Sequence, residues 1–550
     1  MRDMLAPEAA GGLAVYGADA VEGAEKLRAD LVSAGVPGLL AAKDPTLWGE
    51  AAEAEAKIRL GWLDTFRRSR DLLGQLAELR AELADLDHVV LAGMGGSSLA
   101  PEVICRTLGC PLTVLDTTDP HQVRRVLADR LDRTVVVVSS KSGSTVETDS
   151  QRRAYWQAFL DLGLSEAEAG RRFVVVTDAG SPLERTARDM GAFLVLADPD
   201  VGGRYSALTA FGLVPTALSG VDVTELLDQA EELSASLGRD TDNPALALGV
   251  ALGAAATAGG DGTGRRRDKL AVVEDGTGIV GIGDWIEQLI AESTGKLGRG
   301  ILPVVLETPT ARGSSGPDVL TVTVGGALAP GAVPGGGVAP QLAVNGPLGA
   351  QFLAWEYATA IAGRIIGINP FDQPNVAESK ENTGRMLESG IPPVEPTFVE
   401  GAVEVYDAEA TSLEAALRRL LDTIAPDGYL AVMAYLDRIG DAALGRLREE
   451  LAAATDRPVT FGWGPRFLHS TGQYHKGGPC NGSFLQITGA VETDLPVPGM
   501  PYTFGHLQAA QAAGDRLALA ARERPLLRLH LTDRAEGIAQ LLAAARALKG

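Results

Sequence analysis

A turn rich in hydroxyl groups carries the clearest chemical signature of this sequence. Residues 139–148, SSKSGSTVET, directly follow the apolar run TVVVV and combine six hydroxyl side chains with one lysine and one glycine. Hydroxyl groups and the free amides of a helix start donate hydrogen bonds to phosphate oxygens. The P-loop spacing is not met, so the pattern favours a monophosphate over a diphosphate. A hydroxyl-rich helix cap without a ligand is the alternative.

A glycine-rich turn, GMGGSSLAP at residues 93–101, follows another apolar run, HVVLA. Glycine lets the backbone approach a ligand closely, and a helix beginning near Ser98 or Pro101 would direct its free N–H groups at the turn. The third glycine of the dinucleotide-binding fingerprint is missing. A tight turn without a ligand is an equal alternative. Because both turns follow strands, we expect them at the carboxyl edge of one parallel sheet.

Two further segments contain charged groups suited to acid–base chemistry. Arg204 lies in VGGRYSALT, where it could stabilise an anionic intermediate, or form a surface salt bridge. Glu292 and Gln288 lie four residues apart in WIEQLIAESTGK, on one face of a predicted helix. A carboxylate at the C-terminal end of a helix is disfavoured, which raises its pKa toward that of a general base. A solvated glutamate is the alternative.

The remaining candidates are a lysine and two histidines. Lys380 ends the segment NPFDQPNVAESK, where two prolines fix an irregular loop before a helix; a surface lysine is the alternative. His469 and His475 lie in RFLHSTGQYHKGGPCNG, which we expect to be a loop. No carboxylate or cysteine pattern completes a metal site around them. The other four histidines (His88, His121, His506 and His530) are interpreted as structural.

Alternating β and α patterns must position these groups. From Val89 onward, short apolar runs alternate with helical stretches, which is typical of a doubly wound parallel sheet covered on both faces. A second such unit begins near Asn243, and residues 310–346, rich in Gly and Pro, are expected to be a long loop around one strand, LTVTV. The predicted fold class is α/β.

Composition excludes several classes of protein. The chain has 550 residues and a formal net charge of −22, which argues against general nucleic-acid or membrane binding. Three cysteines do not form a disulfide framework and fit the reducing cytoplasm. The start of the chain lacks the apolar run of a signal peptide. The apolar stretches 206–221 and 245–260 are too short to span a bilayer and are expected to be buried core helices.

Taken together, the motifs resemble the glucose-6-phosphate isomerase family, whose members contain two sugar isomerase (SIS) domains. The motifs that carry the resemblance are GMGGSSLAP, SKSGSTVET, GGRYS, ESTGK and NPFDQP…SK, in the family's order over about residues 88–380. The sequence looks most like the actinobacterial form and the isomerase half of transaldolase–isomerase fusions.

The resemblance implies a division of the chain into five parts. They are a helical N-terminal segment (1–87), a first SIS domain that binds the sugar phosphate (88–240), a second SIS domain (241–384), a linker (385–412) and a C-terminal α/β segment (413–550). It also implies a cytoplasmic homodimer that acts in glycolysis and gluconeogenesis. Glucose 6-phosphate and fructose 6-phosphate are the implied substrates, and neither a metal nor an organic cofactor is expected.

The resemblance further implies a role for each candidate residue. Glu292 would move a proton between C1 and C2, Arg204 would stabilise the enediolate, and Lys380 with a histidine would assist ring opening. The remaining eight candidates would bind the substrate: Gly96 and Ser97 at the sugar, Ser140, Lys141, Ser142, Ser144 and Thr145 at the phosphate, and Gln288 in the same pocket.

The histidine is where the sequence departs from the family pattern. Common members have it between the glutamate and the lysine, but no histidine lies between Glu292 and Lys380 here. The segment HSTGQ, beginning at His469, resembles the family's H-S-x-G-Q element displaced beyond the lysine. We hypothesise that the C-terminal segment folds back and delivers His469 to the site, within one chain or across a dimer interface.

Three other functions remain open from the sequence. A related isomerase could also accept mannose 6-phosphate. A non-catalytic sugar-phosphate-binding SIS protein is a second possibility, although Glu292, Arg204 and Lys380 favour an enzyme. An amidotransferase that makes glucosamine 6-phosphate would need an N-terminal cysteine nucleophile, and the first cysteine here is Cys105.

Overall fold

The computed structural model describes residues 7–257, 266–329 and 341–549, and it confirms the predicted α/β class. Strands and helices alternate over most of the chain, and the strands form three sheets. The strands are β1 (Glu8–Ala10), β2 (Leu13–Tyr16), β3 (His88–Gly93), β4 (Thr113–Leu115), β5 (Thr134–Ser139), β6 (Phe173–Thr177), β7 (Phe193–Leu196), β8 (Lys269–Glu274), β9 (Leu302–Val305), β10 (Val319–Gly325), β11 (Leu342–Asn345), β12 (Phe398–Glu400), β13 (Val403–Tyr406), β14 (Tyr429–Tyr435), β15 (Val459–Trp463), β16 (Gly482–Gly489) and β17 (Leu526–Leu531).

The α-helices lie between these strands and cover the sheets. They are α1 (Ala24–Ser33), α2 (Val36–Ala41), α3 (Glu50–Ala56), α4 (Thr65–Arg68), α5 (Leu73–Glu82), α6 (Leu99–Leu108), α7 (Pro120–Ala128), α8 (Val146–Asp161), α9 (Glu166–Gly170), α10 (Pro182–Met190), α11 (Ala210–Leu218), α12 (Val223–Ser234), α13 (Pro244–Thr257), α14 (Ile282–Thr294), α15 (Leu348–Ile366), α16 (Val376–Ser389), α17 (Leu413–Asp422), α18 (Leu447–Thr455), α19 (Gly472–Gly477), α20 (Phe504–Ala520) and α21 (Arg534–Ala547). Short 3-10 helices fill many of the connections.

The first sheet has the order β4-β3-β5-β6-β7, and all its strands are parallel. Its three central strands are buried along their whole length. Continuous Val-rich runs form such strands because helices cover both faces of the sheet. The glycine-rich and hydroxyl-rich turns follow β3 and β5, so both lie at the carboxyl edge, as the sequence predicts.

The second sheet has the order β1-β2-β11-β10-β8-β9. Its N-terminal hairpin differs from the expected helical segment 1–87, since β2 pairs antiparallel with β11. Gly11 and Gly12, with positive φ values of 54° and 75°, make the tight turn between two strands too short to show alternation. The expected loop 310–346 contains a second strand, β11, and its residues 330–340 lie outside the described part of the chain.

The third sheet has the order β12-β13-β17-β16-β14-β15, with β13, β14, β15, β16 and β17 contributed by residues beyond 402. Its antiparallel edge, β12 and β13, lies in the expected linker 385–412, which is therefore partly ordered as strand. Charged side chains dock this segment on the first sheet: Arg466 contacts Glu102 and Asp116 at 2.6 Å each.

Both long apolar stretches form buried core helices, as predicted, and residues 258–260 of the second lie outside the described part of the chain. α13 is buried from Pro244 to Ala256 and packs along α15. A Cβ at Gly249 would lie 2.8 Å from the Ala358 carbonyl oxygen, so glycine allows the two helices to approach closely. α11, from the other stretch, is buried through most of its length. Within the described ranges, no helix combines the length and apolar character needed to cross a bilayer.

Candidate active site

The hydroxyl-rich turn between β5 and α8 is held by its own side chains. The Ser140 and Thr145 hydroxyls lie 3.0 Å apart, and the Gly143 amide donates to Ser140 Oγ at 3.2 Å. Gly143 has a φ of 67°, and a Cβ there would lie 2.8 Å from Leu183. Thr145 is the N-cap residue of α8, but its hydroxyl bonds to Ser140 rather than to the helix. The turn therefore presents hydroxyls beside the first amides of a 16-residue helix.

Lys141 belongs to this turn, but its side chain contacts groups outside the turn. Its ammonium group donates to Asp178 Oδ2 at 2.7 Å and approaches the Asp198 carbonyl oxygen at 3.5 Å. Ser142 and Ser144 are more exposed, and their hydroxyls lie 3.0 Å apart. The sequence therefore predicts the hydroxyl cluster well, whereas a phosphate contact from Lys141 stays a prediction.

The glycine-rich turn packs tightly against two other parts of the site. A Cβ at Gly96 would lie 2.0 Å from the Gly203 carbonyl oxygen, and one at Gly95 would lie 2.6 Å from Gln288 Nε2. Neither position can therefore hold a larger residue without moving its neighbours. Ser97, half-buried, ends the short 3-10 helix formed by this turn. Close packing is the role the structure shows for these glycines, and sugar contact by Gly96 and Ser97 stays a prediction.

Arg204 is buried, with 3% of its side chain exposed, and is fixed by four hydrogen bonds. Its Nε donates to Ser293 Oγ at 2.8 Å, and Nη1 donates to Gln373 Oε1 at 2.6 Å. Its Nη2 donates to the carbonyl oxygens of Pro370 and Asp372 at 2.8 and 2.9 Å. The NPFDQP loop thus positions the guanidinium group, a role that the sequence did not indicate.

Glu292 lies in the last turn of α14, next to this guanidinium group. Its Oε1 lies 3.8 Å from Arg204 Nη1, and its Oε2 accepts from Gln288 Nε2 at 3.2 Å. The same Gln288 nitrogen donates to the backbone carbonyl of His469 at 2.7 Å. Gln288 therefore links the Glu292 carboxylate to the C-terminal segment. Gln288 and Glu292 lie four residues apart on one helix face, as their spacing predicts.

His469 reaches this site within one chain. It ends a 3-10 helix (Arg466–His469), and its Nε2 lies 3.0 Å from Glu147 Oε1. Gln511 on α20 donates to the same carboxylate oxygen at 2.7 Å. Burial alone would raise the pKa of Glu147, but His469 and Lys380 together hold it below its usual value.

His475, expected in a loop near His469, belongs instead to α19 and is buried. Its Nδ1 lies 2.9 Å from the Tyr429 hydroxyl, and burial lowers its pKa to about 3. It is therefore a neutral structural histidine. Among the described residues, no group of three or more His, Cys, Asp or Glu side chains could hold a metal ion.

A cavity of about 220 Å³ is lined by residues of the hydroxyl-rich turn, of α16 and of the C-terminal segment. Ser144, Thr145, Lys380 and His469 are among the residues that line it. The complete lining is Ser144, Thr145, Val146, Glu147, Lys380, Thr383, Gly384, Leu387, Leu468, His469, Lys476 and Gln511. The structure thus brings together the hydroxyl turn, the lysine and the histidine, while Glu292 and Arg204 lie beyond Gln288.

Several residues of the site were missed by the sequence reasoning. Glu147 lies inside the hydroxyl-rich segment, so the sequence offered it as a candidate. Its contact with His469 could be found only from the fold. Lys476 and Asp515 form a 2.7 Å ion pair, each with 2% of its side chain exposed. Lys296, from the ESTGK motif, donates to Asp372 Oδ1 at 2.7 Å, and burial lowers its pKa to about 7.

The sheets place the chain among α/β proteins, and its hydroxyl-lined cavity lies at the carboxyl edge where parallel sheets bind ligands. Residues 79–242 match the family model described as phosphoglucose isomerase.

Curated glucose-6-phosphate isomerases match about two fifths of this chain. The chain is 37% identical over 232 residues to a probable glucose-6-phosphate isomerase of Haloarcula marismortui, a match that covers 40% of this chain and 50% of the relative. It is 34% identical over 235 residues to a glucose-6-phosphate isomerase of Cyanothece, covering 40% and 42%. The chain therefore spans half or less of the length of these curated relatives.

Solved structures share the fold over a longer stretch. A glucose-6-phosphate isomerase from Chlamydia trachomatis superimposes with a TM-score of 0.52 at 20% identity, covering 71% of this chain and 91% of its own. A hypothetical protein from Thermus thermophilus superimposes with a TM-score of 0.54 at 23% identity, covering 66% and 97%. At these identities the superpositions establish the fold.

Proposed function

We propose that this chain catalyses the reversible isomerisation of glucose 6-phosphate and fructose 6-phosphate through a cis-enediolate intermediate. The observation that carries the proposal is the carboxylate of Glu292, which lies 3.8 Å from buried Arg204 and is joined through Gln288 to His469. A base beside a fixed cation, next to a hydroxyl-lined cavity, is what an aldose–ketose isomerase requires.

The phosphate group would be bound by the hydroxyl-rich turn. Ser140, Ser142, Ser144 and Thr145 supply hydroxyls, and the first amides of α8 supply further donors. Lys141 adds positive charge from its position beside Asp178. Gly96 and Ser97 would contact the sugar from the neighbouring turn. Binding energy from the phosphate would position C1 and C2 for reaction.

Ring opening would use His469 and Lys380. His469 takes the proton of the anomeric hydroxyl, the bond between C1 and the ring oxygen breaks, and Lys380 gives a proton to that oxygen. The carbonyl group forms at C1, and solvent returns the proton balance of the two side chains. Glu147, 3.0 Å from the His469 ring, stabilises the imidazolium that forms.

Proton transfer would then occur at Glu292. Its carboxylate takes the proton from C2, the electron pair forms the C1–C2 double bond, and negative charge develops on O1 beside Arg204. Glu292 returns the proton to C1, and a proton moves from O2 to O1 to give the ketose. Because Arg204 is held by four hydrogen bonds, no reorganisation is needed as the charge develops.

A coupled assay tests the proposal. Fructose 6-phosphate is supplied, and glucose 6-phosphate is followed through a dehydrogenase, for the wild type, Glu292→Gln and Glu287→Gln. Loss of a general base costs a factor on the order of 10² to 10⁴. We expect that loss in Glu292→Gln alone, because Glu287 lies on the same helix and bonds to Ser470 instead.

The other outcomes separate the alternatives. Activity in both variants would keep the reaction but remove Glu292 as the base. No activity in the wild type would favour a non-catalytic sugar-phosphate-binding protein. Mannose 6-phosphate, assayed in parallel, tests the broader substrate range.

We also propose a homodimer in the cytoplasm, acting in glycolysis and gluconeogenesis. The match of residues 79–242 to the phosphoglucose isomerase family model supports the reaction step. The three cysteines are free in the structure, which fits a reducing compartment. Light scattering of the purified chain tests the dimer.

A further inference from the structure

A second cavity of about 290 Å³ lies at the third sheet, away from the residues assigned above. It is bounded by the strands β14, β16 and β17 and by α20. The catalytic cavity, proposed to hold a hexose phosphate, measures about 220 Å³. The second cavity therefore has room for a ligand of similar size.

The sheet face toward this cavity is apolar along most of its length and becomes polar at the carboxyl ends of its strands. Two rows cross the strands in register: Met433, Gln486 and Arg528 in one, and Tyr435, Thr488 and His530 in the next. The alternate positions, such as Leu485, Ile487 and Leu529, are fully buried in an apolar core. A sheet covered on both faces ordinarily has apolar residues on both. The polar side chains at the strand ends, which line the cavity, are therefore available to bind a ligand.

The charge of this cavity is positive. Arg516 and Arg528 both line it, and none of the described lining residues is acidic. Within the described part of the chain, neither guanidinium group forms a hydrogen bond or an ion pair; Arg528 lies 4.0 Å from the centre of the Tyr406 ring. Burial and the neighbouring Arg516 lower the pKa of Arg528, opposed by Tyr406, Asp407 and Glu404. Two neighbouring guanidinium groups without an ion-pair partner favour an anion between them.

A buried and unpartnered hydroxyl is an independent sign of a missing ligand. Tyr435 is fully buried, lines the cavity, and its hydroxyl has no hydrogen-bond partner among the described residues. A buried hydroxyl without a hydrogen-bond partner destabilises the protein, and a ligand that supplies the partner removes that cost. In the same row, His530 Nδ1 lies 2.9 Å from Thr488 Oγ1, so the imidazole ring is fixed against the cavity wall.

We propose that this cavity binds a small organic phosphate at a site separate from the catalytic cavity. Arg516 and Arg528 bind the phosphate oxygens, since guanidinium groups match that geometry. Tyr435, Thr488 and His530 bind the hydroxyl groups of the organic part. The two cavities share α20, which carries Gln511 toward the catalytic side and Arg516 toward the second.

Calorimetry with glycerol 3-phosphate as the probe tests the proposal without relying on isomerase activity. The wild type is compared with the double variant Arg516→Gln/Arg528→Gln and with the control Arg418→Gln/Arg419→Gln, which removes the same charge from exposed positions on α17. We expect the first double variant to bind one equivalent fewer than the wild type, and the control to match the wild type. Equal stoichiometry and affinity in all three would overturn the site.

Two further binding measurements control for misfolding and test the class of ligand. Tyr435→Phe removes one hydroxyl and should weaken binding about two- to tenfold, as for a hydrogen bond between neutral groups. Unchanged binding in this variant would contradict the role of the hydroxyl. Inorganic phosphate should bind at least about tenfold more weakly than glycerol 3-phosphate. Equal binding of the two would contradict an organic ligand.

Discussion

The catalytic cavity and the second cavity lie on adjacent faces of α20 but handle charge in opposite ways. In the catalytic cavity each buried charge has a partner: His469 lies 3.0 Å from Glu147, and Lys476 lies 2.7 Å from Asp515. In the second cavity, Arg516 and Arg528 have no ion-pair partner within the described part of the chain. Paired charges hold groups in place for proton transfer, whereas unpaired cations leave their binding capacity for a ligand.

We expect the largest effect from a substitution in the catalytic cavity. His469→Ala removes the ring-opening base, so we expect kcat/KM for cyclic substrate to fall by a factor on the order of 10² to 10⁴. The coupled assay measures it, with the thermal midpoint as a check on folding. Full activity in this variant would contradict the delivery of His469 to the site. His506→Ala is the matched control, because His506 lies at the start of α20 and outside both cavities.

The next effect concerns the buried ion pair. Lys476→Met leaves Asp515 as an uncompensated buried charge, so we expect a loss of about 3–5 kcal/mol in the free energy of unfolding. Urea denaturation measures it. The double variant Lys476→Met/Asp515→Leu should recover most of that loss, because both charges are then removed. A double variant no more stable than the single one would show that the pair does not act as a unit.

A smaller effect appears as a pH dependence of the docking between the C-terminal segment and the first sheet. Glu102 on α6 contacts Arg466 and Arg438, which overcome burial and lower its pKa to about 2. A depressed pKa contributes stability above the unfolded pKa that is lost as pH falls through the folded one. From about pH 5 to pH 2, the wild type should therefore lose more free energy of unfolding than Glu102→Gln.

Denaturation series at several pH values test this expectation. At pH 7 the Glu102→Gln variant should be the less stable protein, and the difference should shrink as the carboxyl group of the wild type becomes protonated. Parallel curves across the whole range would contradict the assigned role of the Glu102–Arg466 contact.

The parts of the site that depend on local sequence could be predicted. The turns after β3 and β5 were located because an apolar run followed by glycines or hydroxyls forms a strand and then a helix start. Gln288 and Glu292 were placed together by their four-residue spacing. The buried helices α11 and α13 followed from continuous apolar composition.

The parts of the site that depend on contacts between distant residues could not be predicted from the sequence. Gln511 bonds to Glu147 across 364 residues, and no pattern in α20 marks it. The fixing of Arg204 by backbone carbonyls of the NPFDQP loop involves no side-chain signal at Pro370 or Asp372. The N-terminal hairpin and β11 are three- and four-residue strands, too short for a period to show.

We propose that one sugar phosphate extends from the cavity lined by the hydroxyl turn and His469 to Glu292, which lies beyond Gln288. The most direct measurement is a crystal structure of the Glu292→Gln variant soaked with fructose 6-phosphate. We expect the phosphate group at Ser140 and Thr145, C1 and C2 beside Arg204, and the ring oxygen near His469. Sugar phosphate bound only in the second cavity, or with its phosphate away from the turn, would contradict it.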